Sequence, residues 1–104
     1  MNTSKKMVYI FKNLGYPALM EQLAEECAEL SHACLKLARI EREENPTPCT
    51  WEEAFEMVKE EINDVMLCVH VLGLNEEFDL KKQVKKLERW VERIDESNDR
   101  RAHA

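Results

Sequence analysis

A chain of 104 residues, 35% of them charged and with a net charge of −6, has room for one domain with a modest core. Two glycines and three prolines supply little turn material, so strands are not expected and an all-α fold is. The acidic balance disfavours nucleic acid polymers as partners. No stretch of about 18 apolar residues suggests a membrane span. No secretory leader follows Met1–Lys6, so a cytoplasmic location is expected.

The first predicted helix runs from Ser4 to Asn13, with Met7, Val8, Ile10, Phe11 and Leu14 as its apolar residues. Gly15 suits its end and Pro17 suits the first turn of the next. A long second helix is predicted from Pro17 to about Glu43, with Leu19, Leu23, Leu30 and Leu37 in one stripe. Prolines 46 and 48 force a loop, because each pushes the residue before it out of the helical region. Thr50 and Glu53 have the spacing of a capping box, which starts a third helix at Trp51 that lasts to about Leu72, with Gly73 as its cap. A fourth helix starts near Asn75 or at Asp79. Leu80, Val84, Leu87, Val91 and Ile94 alternate steps of four and three along it, a heptad-like seam for packing on other helices. The polar stretch from Asp95 onward lacks an apolar period and is expected to fray. The domain is thus placed at 1–96, with a polar tail at 97–104.

Acids interrupt this pattern at two places. At about 100° per residue, Glu26 falls among Leu19, Leu30, Ala33 and Leu37, and Glu29 lies about 60° to one side. Glu61 falls in the same way among Ala54, Val65, Cys68 and Leu72, with Asp64 at the matching offset. Between Ala18 and Met66 there are 13 acids and 4 bases. Carboxylates turned toward a core cost several kcal/mol each unless protonated, paired or bound to a cation, of the order that burial of ions carries. With no base expected close by, a hard divalent ion is the favoured partner, Mg²⁺ or else Mn²⁺, because every donor is an oxygen. The two helices are joined by a short loop, so they are expected to lie antiparallel with the acid pairs face to face. On the fourth helix Lys82, Lys86, Arg89 and Arg93 share one flank, suited to phosphates. Acids, metal and a basic flank together point to hydrolysis of a phosphoanhydride.

Glu25-Glu26-Cys27-Ala28-Glu29 followed by Glu61-Ile62-Asn63-Asp64 resembles the EExxE…ExxD signature of the MazG-like, all-α nucleoside triphosphate pyrophosphatases. The similarity extends from about Leu14 to Arg93. It implies a four-helix protomer in a homo-oligomer, a dimer or a tetramer, with pockets shared between subunits. It also implies a Mg²⁺-dependent enzyme that cuts a nucleoside triphosphate between its α and β phosphates. Glu26, Glu29, Glu61 and Asp64 match the metal ligands. Glu25 matches the first acid of the signature, where it would orient or deprotonate the attacking water. Lys82, Lys86 and Arg89 lie in the region of the phosphate-contacting bases.

Other readings compete with this one. Glu29-x-x-His32 is half of a di-iron ligand pattern, but the third helix offers Asp64 where a second histidine is needed. A non-enzymatic helical interaction module is the third reading. Tyr9, Phe11, Tyr16 and Trp51 are candidates to stack on a base, and core packing is the commoner use of each. Cys27, Cys34, Cys49 and Cys68 show no CxxC spacing and read as reduced thiols packed as small hydrophobes.

Overall fold

The computed structural model describes residues 1–44, 46 and 48–103. Part of the expected loop (Asn45 and Thr47) and Ala104 lie outside the described residues. Among those described, all regular structure is helical: α1 (Thr3–Leu14), α2 (Tyr16–Arg42), α3 (Trp51–Val71) and α4 (Leu80–Ala102).

Each start and stop has a local cause. The Asn2 side chain caps α1 by accepting from the Lys5 amide at 2.8 Å. Gly15 takes φ 83° and ψ 167°, a conformation open to glycine and costly for other residues, and so ends α1 and turns directly into α2. Thr50 and Glu53 form the expected capping box, with bonds of 3.1 and 3.4 Å. At the other end of α3, Gly73 at φ 71° lets its own amide bond the His70 carbonyl and the Leu74 amide bond the Val69 carbonyl. This reciprocal pair satisfies two orphan carbonyls and returns Leu74 to the core. Asp79 caps α4 by accepting from the Lys82 amide, so the later of the two expected starts is the one used.

The two long helices α2 and α3 form the body of the protein. Glu41 meets Trp51 near the loop, Glu26 and Glu29 meet Glu61 midway, and Leu19 packs with Val71 and Leu72 at the far end. Those pairings make α2 and α3 antiparallel. At the loop end the Trp51 indole donates to the Glu41 carboxylate at 2.7 Å, tying the end of α2 to the start of α3. At the far end α1 packs across both helices, and Met7, Leu23 and Leu74 close over the Leu19 cluster. Between the two ends the buried residues are small: Ala33, Ala54, Val58 and Cys68.

The fourth helix departs from the expected bundle. It packs on no other described helix, and its seam residues are 44–64% exposed. The radius of gyration is 18.8 Å, against about 13 Å for a compact chain of this length. The expected fraying from Asp95 is also corrected, because α4 continues as helix to Ala102. Its last turns contain no Gly or Pro, and Arg100 and Arg101 complement the negative end of the helix dipole. The cysteine reading holds only for Cys68, which is buried; Cys27 and Cys34 are exposed and Cys49 is half-buried.

Candidate metal centre

Midway along the α2–α3 pair, carboxylate oxygens of Glu26, Glu29 and Glu61 all lie within 4.8 Å of one another. Glu26 and Glu29 are one turn apart on α2, and the antiparallel register brings Glu61 of α3 against them. Glu26 and Glu61 are half-buried and Glu29 is exposed. One oxygen of Glu26 accepts from the Gln22 amide at 2.9 Å. Its other oxygen, and one oxygen of Glu61, are buried without a hydrogen-bond partner. Orphaned carboxylate oxygens at such a depth are uncommon, because each forfeits its hydration with nothing in return.

Protonation reflects the same crowding. Burial pushes the Glu26 carboxyl above its ordinary value, the Gln22 bond opposes this in part, and the charges of Glu29 and Asp64 add to the rise. Burial likewise raises Glu61, helped by Glu29, Asp64 and Glu26. Cys68 sits close by, and its thiol is pushed up first by burial and then by Glu26 and Asp64.

The remaining expected site residues are placed differently. Asp64 is exposed and outside the triad, although its charge reaches both half-buried glutamates. Glu25 is exposed on α2 beside the triad. Lys82, Lys86, Arg89 and Arg93 stand on α4, which touches neither acidic helix, so one protomer does not bring them to the acids. Lys86, Arg89 and Arg93 instead border a groove along α4 with Trp90 and Asn98.

The sequence reading missed two bases. A cleft of about 520 Å³ opens beside the triad, lined by Glu29, Glu61, His32, Lys36, Arg39 and Met57. Neither base pairs with the acids among the described residues, and the charges that shift Glu26 and Glu61 are all carboxylates. The expectation that no base lies close to the acids is therefore not overturned; what it overlooked is that Lys36 and Arg39 line the same cleft further along α2. The signal was present, since Glu29, His32, Lys36 and Arg39 follow in steps of three, four and three and so share one helical face. None of the four aromatic candidates lines this cleft. Trp51 stacks on Phe55 with ring centres 5.0 Å apart, and Phe11 meets Tyr16 edge to face at 6.5 Å.

The residues fit a hard divalent cation. Three oxygen donors converge, and two of them have an oxygen that finds no donor within the protein. The same cleft is also lined by the ammonium of Lys36 and the guanidinium of Arg39, groups suited to phosphate oxygens. Among the described residues no helix is long and apolar enough to cross a membrane. Comparison with protein-family models, curated proteins and solved structures finds no match to this chain.

Proposed function

We propose that this protein is a Mg²⁺-dependent nucleoside triphosphate pyrophosphohydrolase, which converts a nucleoside triphosphate and water to a nucleoside monophosphate and pyrophosphate. It is read as a cytoplasmic enzyme of nucleotide-pool cleansing that works as a homo-oligomer, a dimer or a tetramer. The observation that carries the reading is the pair of inward, unpartnered oxygens of Glu26 and Glu61, contributed by the two halves of the EExxE…ExxD pattern.

Glu26, Glu29 and Glu61 would hold Mg²⁺, or Mn²⁺ in its place, with Asp64 adding negative charge at the margin. When bound, the ion would neutralise phosphate charge and lower the pKa of a coordinated water. The rest falls to the chain's own side chains. Lys36 and Arg39 line the cleft at its basic end, where they would bind the β and γ phosphates and stabilise the leaving pyrophosphate. Glu25, exposed next to Glu26, is assigned to orienting the water and receiving its proton. Met57 offers an apolar wall to the nucleoside. Lys82, Lys86 and Arg89 can serve the substrate only from another copy, so within one protomer Lys36 and Arg39 take over the phosphate role.

The test is product identity. Phosphorus NMR of a panel of nucleoside triphosphates with Mg²⁺ should show pyrophosphate, and Glu26→Gln should abolish turnover while helical circular dichroism is kept. Orthophosphate as the product, or full activity in the variant, rejects the proposal. One observation favours a second reading: His32 shares the cleft with Glu29 and Glu61, as a di-iron site would require. A colourless protein that is active with Mg²⁺ alone removes that alternative.

A further inference from the structure

The net charge of −6 is not spread evenly over the molecule. Before Leu67 there are 13 acids and 7 bases, from Leu67 onward there are 8 of each, and α4 itself carries 8 bases and 5 acids. The acidity that disfavours nucleic acid thus belongs to the rest of the chain. α4 packs on no other described helix, so the acidic body does not cover it. Among the described residues the one ion pair joins Lys59 to Glu56, and no base of α4 is held by an acid.

The charges of α4 are also segregated around its axis. At about 100° per residue, Lys82, Lys86, Arg89, Arg93 and Arg100 fall within an arc of about 60°, opposite the apolar seam. Glu96 stands at the edge of this arc. Glu88, Glu92, Asp95 and Asp99 gather elsewhere, along one side of the seam. Trp90 and Ser97 lie on the other side, between the basic arc and the seam. There a groove of about 570 Å³ opens, lined by Lys86, Arg89, Arg93, Arg101 and Trp90. Among the described residues no acid lines it, and Trp90 is 61% exposed.

Guanidinium and ammonium groups repeated turn after turn suit a ligand with repeated anionic oxygens. An indole face beside them suits a planar, unpaired base. Ser97 and Asn98 add a hydroxyl and an amide for sugar or phosphate oxygens. From Lys86 to Arg101 the helix rises about 22 Å, the length of about six nucleotides at the spacing of one strand. An anionic membrane fits less well. With the seam lowered into a bilayer, the basic arc would face away from it, and Glu88 and Asp95 would meet the headgroups. We propose that the α4 groove binds single-stranded nucleic acid: Lys86, Arg89, Arg93 and Arg101 neutralise successive phosphates while one base stacks on Trp90. The site uses no residue of the acidic cleft, so it stands or falls apart from the enzymatic reading.

Fluorescence anisotropy tests the site, with the full chain and a labelled twelve-nucleotide single strand that ends in a 5′-hydroxyl. EDTA keeps the acidic cleft free of metal during the titration. Affinity should fall about 50-fold between 50 and 200 mM salt, the slope of four phosphate contacts on a single strand. Trp90→Ala should cost about fivefold or more with that slope unchanged, and Trp90→Phe should recover most of the loss. Arg89→Ala combined with Arg93→Ala should reduce the slope by about half. Lys6→Ala, which removes a charge on α1 instead, should change affinity less than about twofold. Circular dichroism checks that α4 stays helical in each variant. No binding at 50 mM salt overturns the proposal. Equal affinity for a duplex of the same length, or wild-type affinity in Trp90→Ala, also overturns it, because either removes the stacked base. Displacement of the strand by phosphatidylserine vesicles or by a polyglutamate peptide of equal charge overturns it in favour of a membrane or an acidic protein.

Discussion

Replacing Glu61 by Gln should separate the two consequences of an inward carboxylate. In the metal-free protein Glu61 sits against Glu29 and Glu26, with one oxygen unpartnered. The amide keeps the shape, removes a charge and adds a donor for the neighbouring carboxylates, so metal-free Glu61→Gln should melt higher than wild type. The reverse holds with Mg²⁺. A ligand at one hundred times its Kd stabilises the folded state by about 2.7 kcal/mol, which for a domain of this size raises Tm by roughly 10–20 °C. Loss of one of three converging donors should remove most of that increment. Proton linkage gives the same experiment a second axis. Glu26 and Glu61 both have folded-state values raised above 4.5. Their contribution to stability is therefore fully present below about pH 4.5, the unfolded value, and is lost as pH rises through the folded values. Metal-free wild type should weaken across that window more than Glu61→Gln does, and Mg²⁺ should restore the difference at neutral pH. Thermal melts of both proteins at pH 4.5 and 7.5, with and without Mg²⁺, make the measurement. A variant with the full wild-type Mg²⁺ increment, or one that melts lower than wild type without metal, refutes the reasoning.

Lys36→Ala and Arg39→Ala should each raise KM for a nucleoside triphosphate while leaving the Mg²⁺-dependent rise in Tm intact, as steady-state kinetics beside thermal melts would show. Leu19→Ala opens a cavity where α1, α2 and α3 meet and should cost about 2–5 kcal/mol in urea unfolding. Gly73→Ala should cost about 1–2 kcal/mol by the same assay, since φ is 71° although nothing lies within 4 Å of the added methyl.

Helix positions were readable because the chain marks them with strong local chemistry. The Thr50–Glu53 box, Gly15, Gly73 and the proline loop each act within a few residues, and each stands where the spacing placed it, with ends shifted by a residue or so. The meeting of Glu26, Glu29 and Glu61 was also readable, since an antiparallel pair joined by a short loop leaves little choice of register. The place of α4 was not. An apolar seam declares that something covers it, but the same stripe serves an intramolecular bundle and a second subunit equally well. Continuation of α4 through Asn98 was missed because apolar periodicity was the criterion, whereas helix-forming residues and terminal bases sustain those turns without it. Lys36 and Arg39 were passed over for a related reason. Attention to the stripe around Glu26 hid the neighbouring face, on which Glu29, His32 and the two bases align.

The α2–α3 pair is fastened at both extremities, by the indole–carboxylate bond between Trp51 and Glu41 and by the Leu19 cluster beneath α1. Positions 26, 29 and 61 lie between these fastenings and contribute little to either. On the proposed reading, folding and chemistry are thereby assigned to different stretches of the same two helices. If the proposed site is right, the central positions could exchange one set of ligating side chains for another, and so change the ion or the reaction, without asking the scaffold to change with them.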